Sequence, residues 1–91
     1  MLIKFTRRPE GFYMDITGAA YKQITPFQPM ERDWNNDGDT YTETVAVFLW
    51  LEESRQGTWK TPPRKLVLTK YEFDALLNGG DIIIIGGGST K

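Results

Sequence analysis

An α+β domain, with a mainly antiparallel sheet of about five strands and one short helix at about residues 70–78, is predicted by three stretches of this chain. The first is the apolar run Thr44-Val45-Ala46-Val47-Phe48-Leu49-Trp50-Leu51 near its middle. The second is Thr69-Lys70-Tyr71-Glu72, a capping box leading into an apolar stripe and closed by two glycines. The third is a set of short β-type runs on either side, cut apart by proline and glycine. A single sheet with a helix packed on one face accommodates all three.

The elements follow in order. Leu2–Arg8 and Phe12–Thr17 read as a hairpin turning at Pro9-Glu10, with Gly11 favoured at the fourth turn position. That register sets Phe5 opposite Met14, Ile3 opposite Ile16 and Lys4 opposite Asp15. Gly18-Ala19-Ala20 is a bend, and Tyr21–Thr25 a short strand. Pro26–Asp39 reads as loop, with two prolines, two asparagines, a glycine and several charges.

The central strand is expected over about Tyr41–Glu52. It is apolar on both parities, which asks for cover on both faces, so Val47 and Leu49 should be largely buried. A helix from Thr40 to Gln56 competes, since Thr40-x-x-Glu43 is also a capping box and Gly57 is a stop. Such a helix would be apolar on nearly every side, and its threonines, valines and aromatics favour strand.

Glu53–Pro63 is a second connection, and Arg64–Thr69 a strand built on Leu66, Val67 and Leu68. The helix follows with Phe73, Leu76 and Leu77 on one stripe, and Asn78-Gly79-Gly80 stops it, glycine taking the left-handed position. Asp81–Gly86 is a strand whose four isoleucines ask for burial. Strand, helix and strand suggest a right-handed crossover between parallel strands, with an antiparallel return as the alternative. Residues 1–86 form one compact domain and 87–91 a flexible Gly-rich tail.

Composition bounds the chemistry. Ninety-one residues bury roughly 60–68% of the unfolded surface, and a stability of about 5–9 kcal/mol is ordinary at this length. There is no signal-peptide pattern and no apolar run near the ~20 residues of a membrane helix, so a soluble protein is expected. Cysteine is absent, which removes disulfides and thiol chemistry and fits a reducing cytoplasm. Histidine is absent as well, removing imidazole acid–base catalysis and the usual zinc ligands. The net charge of −1 conceals two poles: seven acids against Arg32 from Glu31 to Glu53, and acid-free stretches holding Lys4, Arg7 and Arg8, and Lys60, Arg64, Lys65 and Lys70.

Three signals bear on function. Asp33-Trp34-Asn35-Asn36-Asp37-Gly38-Asp39 resembles the first half of an EF-hand calcium loop, with alternating oxygens and a glycine at the turn. The resemblance implies ligands from Asp33, Asn35, Asp37 and Asp39. The twelfth position is Thr44, so Glu43 would have to serve, and no entering helix precedes the loop. A solvated Asn/Asp/Gly turn explains the same residues.

The basic and aromatic loop 59–65, with Trp59, Lys60, Arg64 and Lys65 and with Arg7 and Arg8 beside it, has the mixture that holds single-stranded nucleic acid. Net acidity opposes that reading. Trp34, Trp59, Phe27 and Tyr41 are loop or loop-flanking aromatics, either anchors for a protein partner or lids on a small core. The tail Gly86-Gly87-Gly88-Ser89-Thr90-Lys91 fails as a phosphate loop, since its lysine is misplaced and no helix follows. Ser54 and Ser89 lack a histidine partner, and Glu52-Glu53 point to opposite faces of a strand.

The expectation is a non-catalytic, cofactor-free small binding module. It acts on a protein partner as regulator, inhibitor or assembly subunit, a second copy of the chain included. Single-stranded nucleic acid is the alternative ligand, and weak calcium binding through residues 33–43 the third.

Overall fold

The computed structural model describes residues 1–12, 14–33, 38–51 and 62–86. They form a mainly antiparallel sheet with one helix, as predicted. The strands are β1 (Leu2–Phe5), β2 (Ala20–Gln23), β3 (Gln28–Asp33), β4 (Thr40–Trp50), β5 (Lys65–Thr69) and β6 (Ile82–Gly86), and the helix is α1 (Lys70–Asn78).

The central run is strand, and β4 is paired along both edges. Phe48 lies beside Gln23 of β2 and Leu66 of β5, and Val45 lies beside Gln28 of β3 and Thr69 of β5. A strand has two edges, so β5 holds one while β2 and β3 run in succession along the other. β1 then pairs with β2, and β6 with β1, every ladder antiparallel.

β4 is interior to the sheet; the face turned away from the helix is closed at Val45, which is 1% exposed, but opens toward Val47 and Leu49 among the described residues. Alternation sends Ala46, Phe48 and Trp50 toward the helix, where the first two are fully buried. Phe48 stacks on Phe73 of α1 with ring centroids 6.0 Å apart, and Phe27 lies 5.3 Å from the Phe73 ring. A second aromatic group joins Phe5 to Phe12 and Tyr21, whose hydroxyl donates to the Pro63 carbonyl at 2.7 Å. Val47 and Leu49 take the opposite face, where Val47 is half-buried and Leu49 exposed, contrary to the burial expected of them. Two apolar parities signalled a strand inside a sheet, and did not require two covering layers.

The start of the chain departs from the expected hairpin. β1 ends at Phe5, and residues 14–17 are turns and coil. The turn forms one residue later than expected, with the Phe12 N–H donating to the Pro9 carbonyl at 3.2 Å. Gly11, at φ 94°, therefore occupies the third position, in a positive-φ conformation that glycine adopts without steric cost. Met14 and Ile16 still join the core, but β1 finds its partners in β2 and β6.

The segment expected as loop from Pro26 to Asp39 contains β3. Its pattern was hidden because every residue of β3 is exposed, so no alternation marks it. Pro29 is tolerated because β3 is an edge strand, whose outer side needs no N–H. β3 and the first half of β4 form a two-stranded ribbon, tied by Arg32–Glu43 at 3.1 Å and by Thr40 donating to Glu31 at 2.9 Å.

The helix occupies the predicted span. The Thr69 hydroxyl accepts from Glu72 N–H at 2.9 Å, and the Glu72 carboxylate accepts from Thr69 N–H at 3.0 Å. Its end is a Schellman motif, with Asp81 N–H donating to the Leu76 carbonyl and Gly80 N–H to that of Leu77. Gly80, at φ 78°, is the left-handed residue. Phe73 is buried, and Leu76 and Leu77 pack against the core.

The strand–helix–strand unit does not join neighbours. β5 and β6 run in the same direction but lie at opposite edges, with β4, β2 and β1 between them, so the helix connection spans the sheet. Ile82 is buried as expected, whereas Ile83, Ile84 and Ile85 are exposed because β6 is an edge strand. No helix among the described residues is long and apolar enough to cross a membrane.

The two parities of β4 should differ in energy. Phe48→Ala should cost about 3–5 kcal/mol. Leu49→Ala should cost about 1 kcal/mol or less, since much of that side chain is already in water. Urea midpoints of the two variants check this, and equal losses would place the core on the wrong face.

Candidate functional site

The face of the sheet turned away from α1 is built by register. Lys65 lies beside Leu49, Leu49 beside Lys22, and Lys22 beside Leu2, a row alternating cation and leucine across four strands. Next to it, Val67 pairs with Val47, whose carbonyl accepts from Ile24 N–H at 2.8 Å. On the other side, Lys4 lies between Ala20 and Ile83, and Leu51 N–H donates to the Ala20 carbonyl.

Each strand alternates, so these residues share a face, and their neighbours Ile3, Phe5, Tyr21 and Leu68 fill the core. Ile24, Leu49, Val67, Ile83 and Ile85 are 40–48% exposed. Scattered surface leucines are ordinary, whereas exposed aliphatic side chains that share one face make that face a candidate for binding.

The electrostatics of this face differ from those of the rest of the molecule. Around Val47 and Leu49 its described charges are Lys4, Lys22 and Lys65; the carboxylate that β4 sets on the same parity, Glu43, lies farther along at the ribbon and pairs with Arg32. The described cations elsewhere are engaged. Arg7 donates to the Asp81 carboxylate and the Gly79 carbonyl, and Arg8 to the Phe12 carbonyl. Arg32 pairs with Glu43, and Lys70 pairs with Asp74 at 2.8 Å while lying over the Phe27 ring. Arg64 is not free either. The side chains of Lys4, Lys22 and Lys65 make no ion pair or hydrogen bond among the described residues.

The residues singled out from sequence are dispersed. Trp34, Asn35, Asp37, Trp59 and Lys60 lie outside the described residues. Phe27 belongs to the aromatic core against Phe48 and Phe73. Tyr41 is exposed on the ribbon, opposite Arg32. Arg7 and Arg8 are held at the turn, and of the described members of the basic set Lys65 alone lies on the uncovered face.

Of the candidate calcium ligands, Asp33 pairs with Thr40 at the mouth of the ribbon, and Asp39 is exposed just before β4. Glu43 lies on the opposite face from Asp33, since Arg32, its salt-bridge partner, is the neighbour that precedes Asp33. The ladder thus keeps Asp33 and Glu43 apart. No cluster of three or more metal-ligating side chains occurs among the described residues.

Sequence reading passed over Lys4, Lys22, Leu49 and Val67. The signal was present, because β1, β2 and β5 each carry one lysine on the parity opposite their large core side chain. Comparison with known protein families, curated proteins and solved structures finds no match for this chain.

The opposed faces of Asp33 and Glu43 make a testable statement about metal. The melting temperature should stay unchanged as calcium is raised into the millimolar range, with Trp34 fluorescence flat. A saturable response that disappears in Asp33→Ala would show that the ribbon mouth rearranges to bind the ion.

Proposed function

We propose that this chain is a non-catalytic binding module that docks another protein on the uncovered face of its sheet. The observation that carries the reading is the set of exposed aliphatic side chains, Ile24, Leu49 and Val67 grouped around Val47 and Ile83 farther across the same face, on the side that α1 leaves open. Burying such area from water contributes roughly 25 cal/mol per Å², the ordinary driving force of association. What the face offers is aliphatic surface and ammonium groups. Its exposed lysines have no neighbouring general base among the described residues to activate them, which supports binding rather than catalysis. Regulation, inhibition or assembly are the roles open to such a module, and the cysteine-free composition suits a reducing cytoplasm.

Single-stranded nucleic acid is the competing ligand, favoured by Lys4, Lys22 and Lys65 on one face. Sheets that bind single strands stack bases on aromatic rings, and the described part of this face between β5 and β6 presents aliphatic side chains instead.

Affinity capture from the native host, with and without nuclease, separates the two. Protein preys should survive nuclease treatment and be lost or strongly reduced when the bait carries Leu49→Asp, while a ribbon substitution such as Thr42→Ser leaves them in place. Preys released by nuclease, or unaffected by Leu49→Asp in a bait shown to be folded, would overturn the protein-docking reading.

A further inference from the structure

We propose that the occupant of the uncovered face is an acidic amphipathic helix supplied by a different protein. This rests on the protein-docking reading and names the chemistry of the partner.

Charge selects the sign. Among the described residues, Lys4, Lys22 and Lys65 stand among aliphatic side chains without a carboxylate partner, whereas Arg7, Arg32 and Lys70 are each neutralised by a carboxylate of the chain itself. An occupant that buries Leu49 and Val67 also covers these ammonium groups. Covering them without partners is costly, so carboxylates on the occupant are required. A second copy docking the same face about a two-fold axis would bring these lysines against their own counterparts, which charge repulsion opposes.

Geometry selects the helix. Lys65 and Lys22 flank Leu49 two strands apart, about 9.4–9.8 Å at the usual strand spacing. Residues one heptad apart on a helix are separated by about 10.5 Å along its axis. Two carboxylates at i and i+7 of a helix laid across the strands therefore meet Lys65 and Lys22, with an apolar residue between them over Leu49. From β5 to β6 the face spans four strand spacings, about 19 Å, the length of a helix of roughly thirteen residues. Aromatic side chains, which both membrane-surface insertion and base stacking use, are missing from the described residues of this part of the face.

The test is a displayed library of helical peptides with a fixed leucine stripe, whose flanking positions vary among Glu, Gln and Lys. Selection on the full chain should enrich Glu at positions one heptad apart. Selection on Lys22→Glu/Lys65→Glu should enrich Lys at those same positions. A selected acidic peptide should bind wild type at least tenfold more tightly than the reversed variant and weaken as salt rises. Lys22→Gln/Lys65→Gln, confirmed folded by circular dichroism, should bind weakly with a shallower salt dependence.

No enrichment of Glu on wild type, or the same enrichment on both proteins, overturns the proposal. So does retention by phosphatidylserine vesicles or single-stranded oligonucleotides that depends on these lysines while no acidic peptide is retained. If the selections fail but nuclease-resistant preys are still lost with Leu49→Asp, the acidic helix is wrong and protein docking stands. If the preys are indifferent to Leu49→Asp, both fall.

Discussion

The sheet takes its register from β4, because that strand pairs along both of its edges. β5 runs along one edge, and β2 and β3 along the other, so a slip of one residue in β4 would turn every side chain of three ladders to the wrong face. The slip is resisted where Phe48 stacks on Phe73, since the alternative places Val47 or Leu49 under the helix and leaves the aromatic ring in water. The helix in turn is held in place by its two ends. The Thr69–Glu72 capping box starts it directly from β5, and the Schellman turn at Gly80 releases the chain toward β6. Local signals and the long-range stack thus agree, which is the consistency expected of a sequence that specifies one fold.

The same alternation that closes one face opens the other. Once Ala46, Phe48, Tyr21, Ile3 and Phe5 are committed to the helix side, Val47, Leu49, Lys22, Leu2 and Lys4 have only the opposite side to occupy. The edges are treated unequally. β3 carries Pro29 and the charges Glu31, Arg32 and Asp33, devices that discourage further strand pairing. β6 carries isoleucines without a charge, and its outer edge continues the aliphatic surface of the open face. A face and an adjoining edge that are both aliphatic, set beside a guarded ribbon, are what the proposed docking of a partner rests on.

The helix was fully legible because its information is local: a cap, a stripe and a glycine stop within a dozen or so residues. The strand character of β4 was legible from β-branched and aromatic content, but which parity faced the core was not. Both parities are apolar, and the choice was made by Phe73, a residue far along the chain. The expected pairing of Phe5 with Met14 was wrong because a nearby turn signal says nothing of a better partner at Tyr21 or Ile82, both of which lie beside β1 in the sheet. β3 was invisible because an edge strand exposed on both faces keeps no alternation. Of the lysine–leucine row only the lysine parity of β1, β2 and β5 was legible, since Lys65, Leu49, Lys22 and Leu2 become neighbours only after three strand pairings are known.

The account turns on which face of β4 is closed, and single-cysteine labelling reads this directly, because the chain has no cysteine of its own. Leu49→Cys and Val67→Cys should react with a thiol reagent at rates close to those of the unfolded chain. Phe48→Cys and Leu68→Cys should react only through unfolding, orders of magnitude more slowly, and speed up together in denaturant. Leu49→Cys protected as strongly as Phe48→Cys in the isolated protein would mean that the chain covers this face itself, and would contradict a sheet left open for a partner.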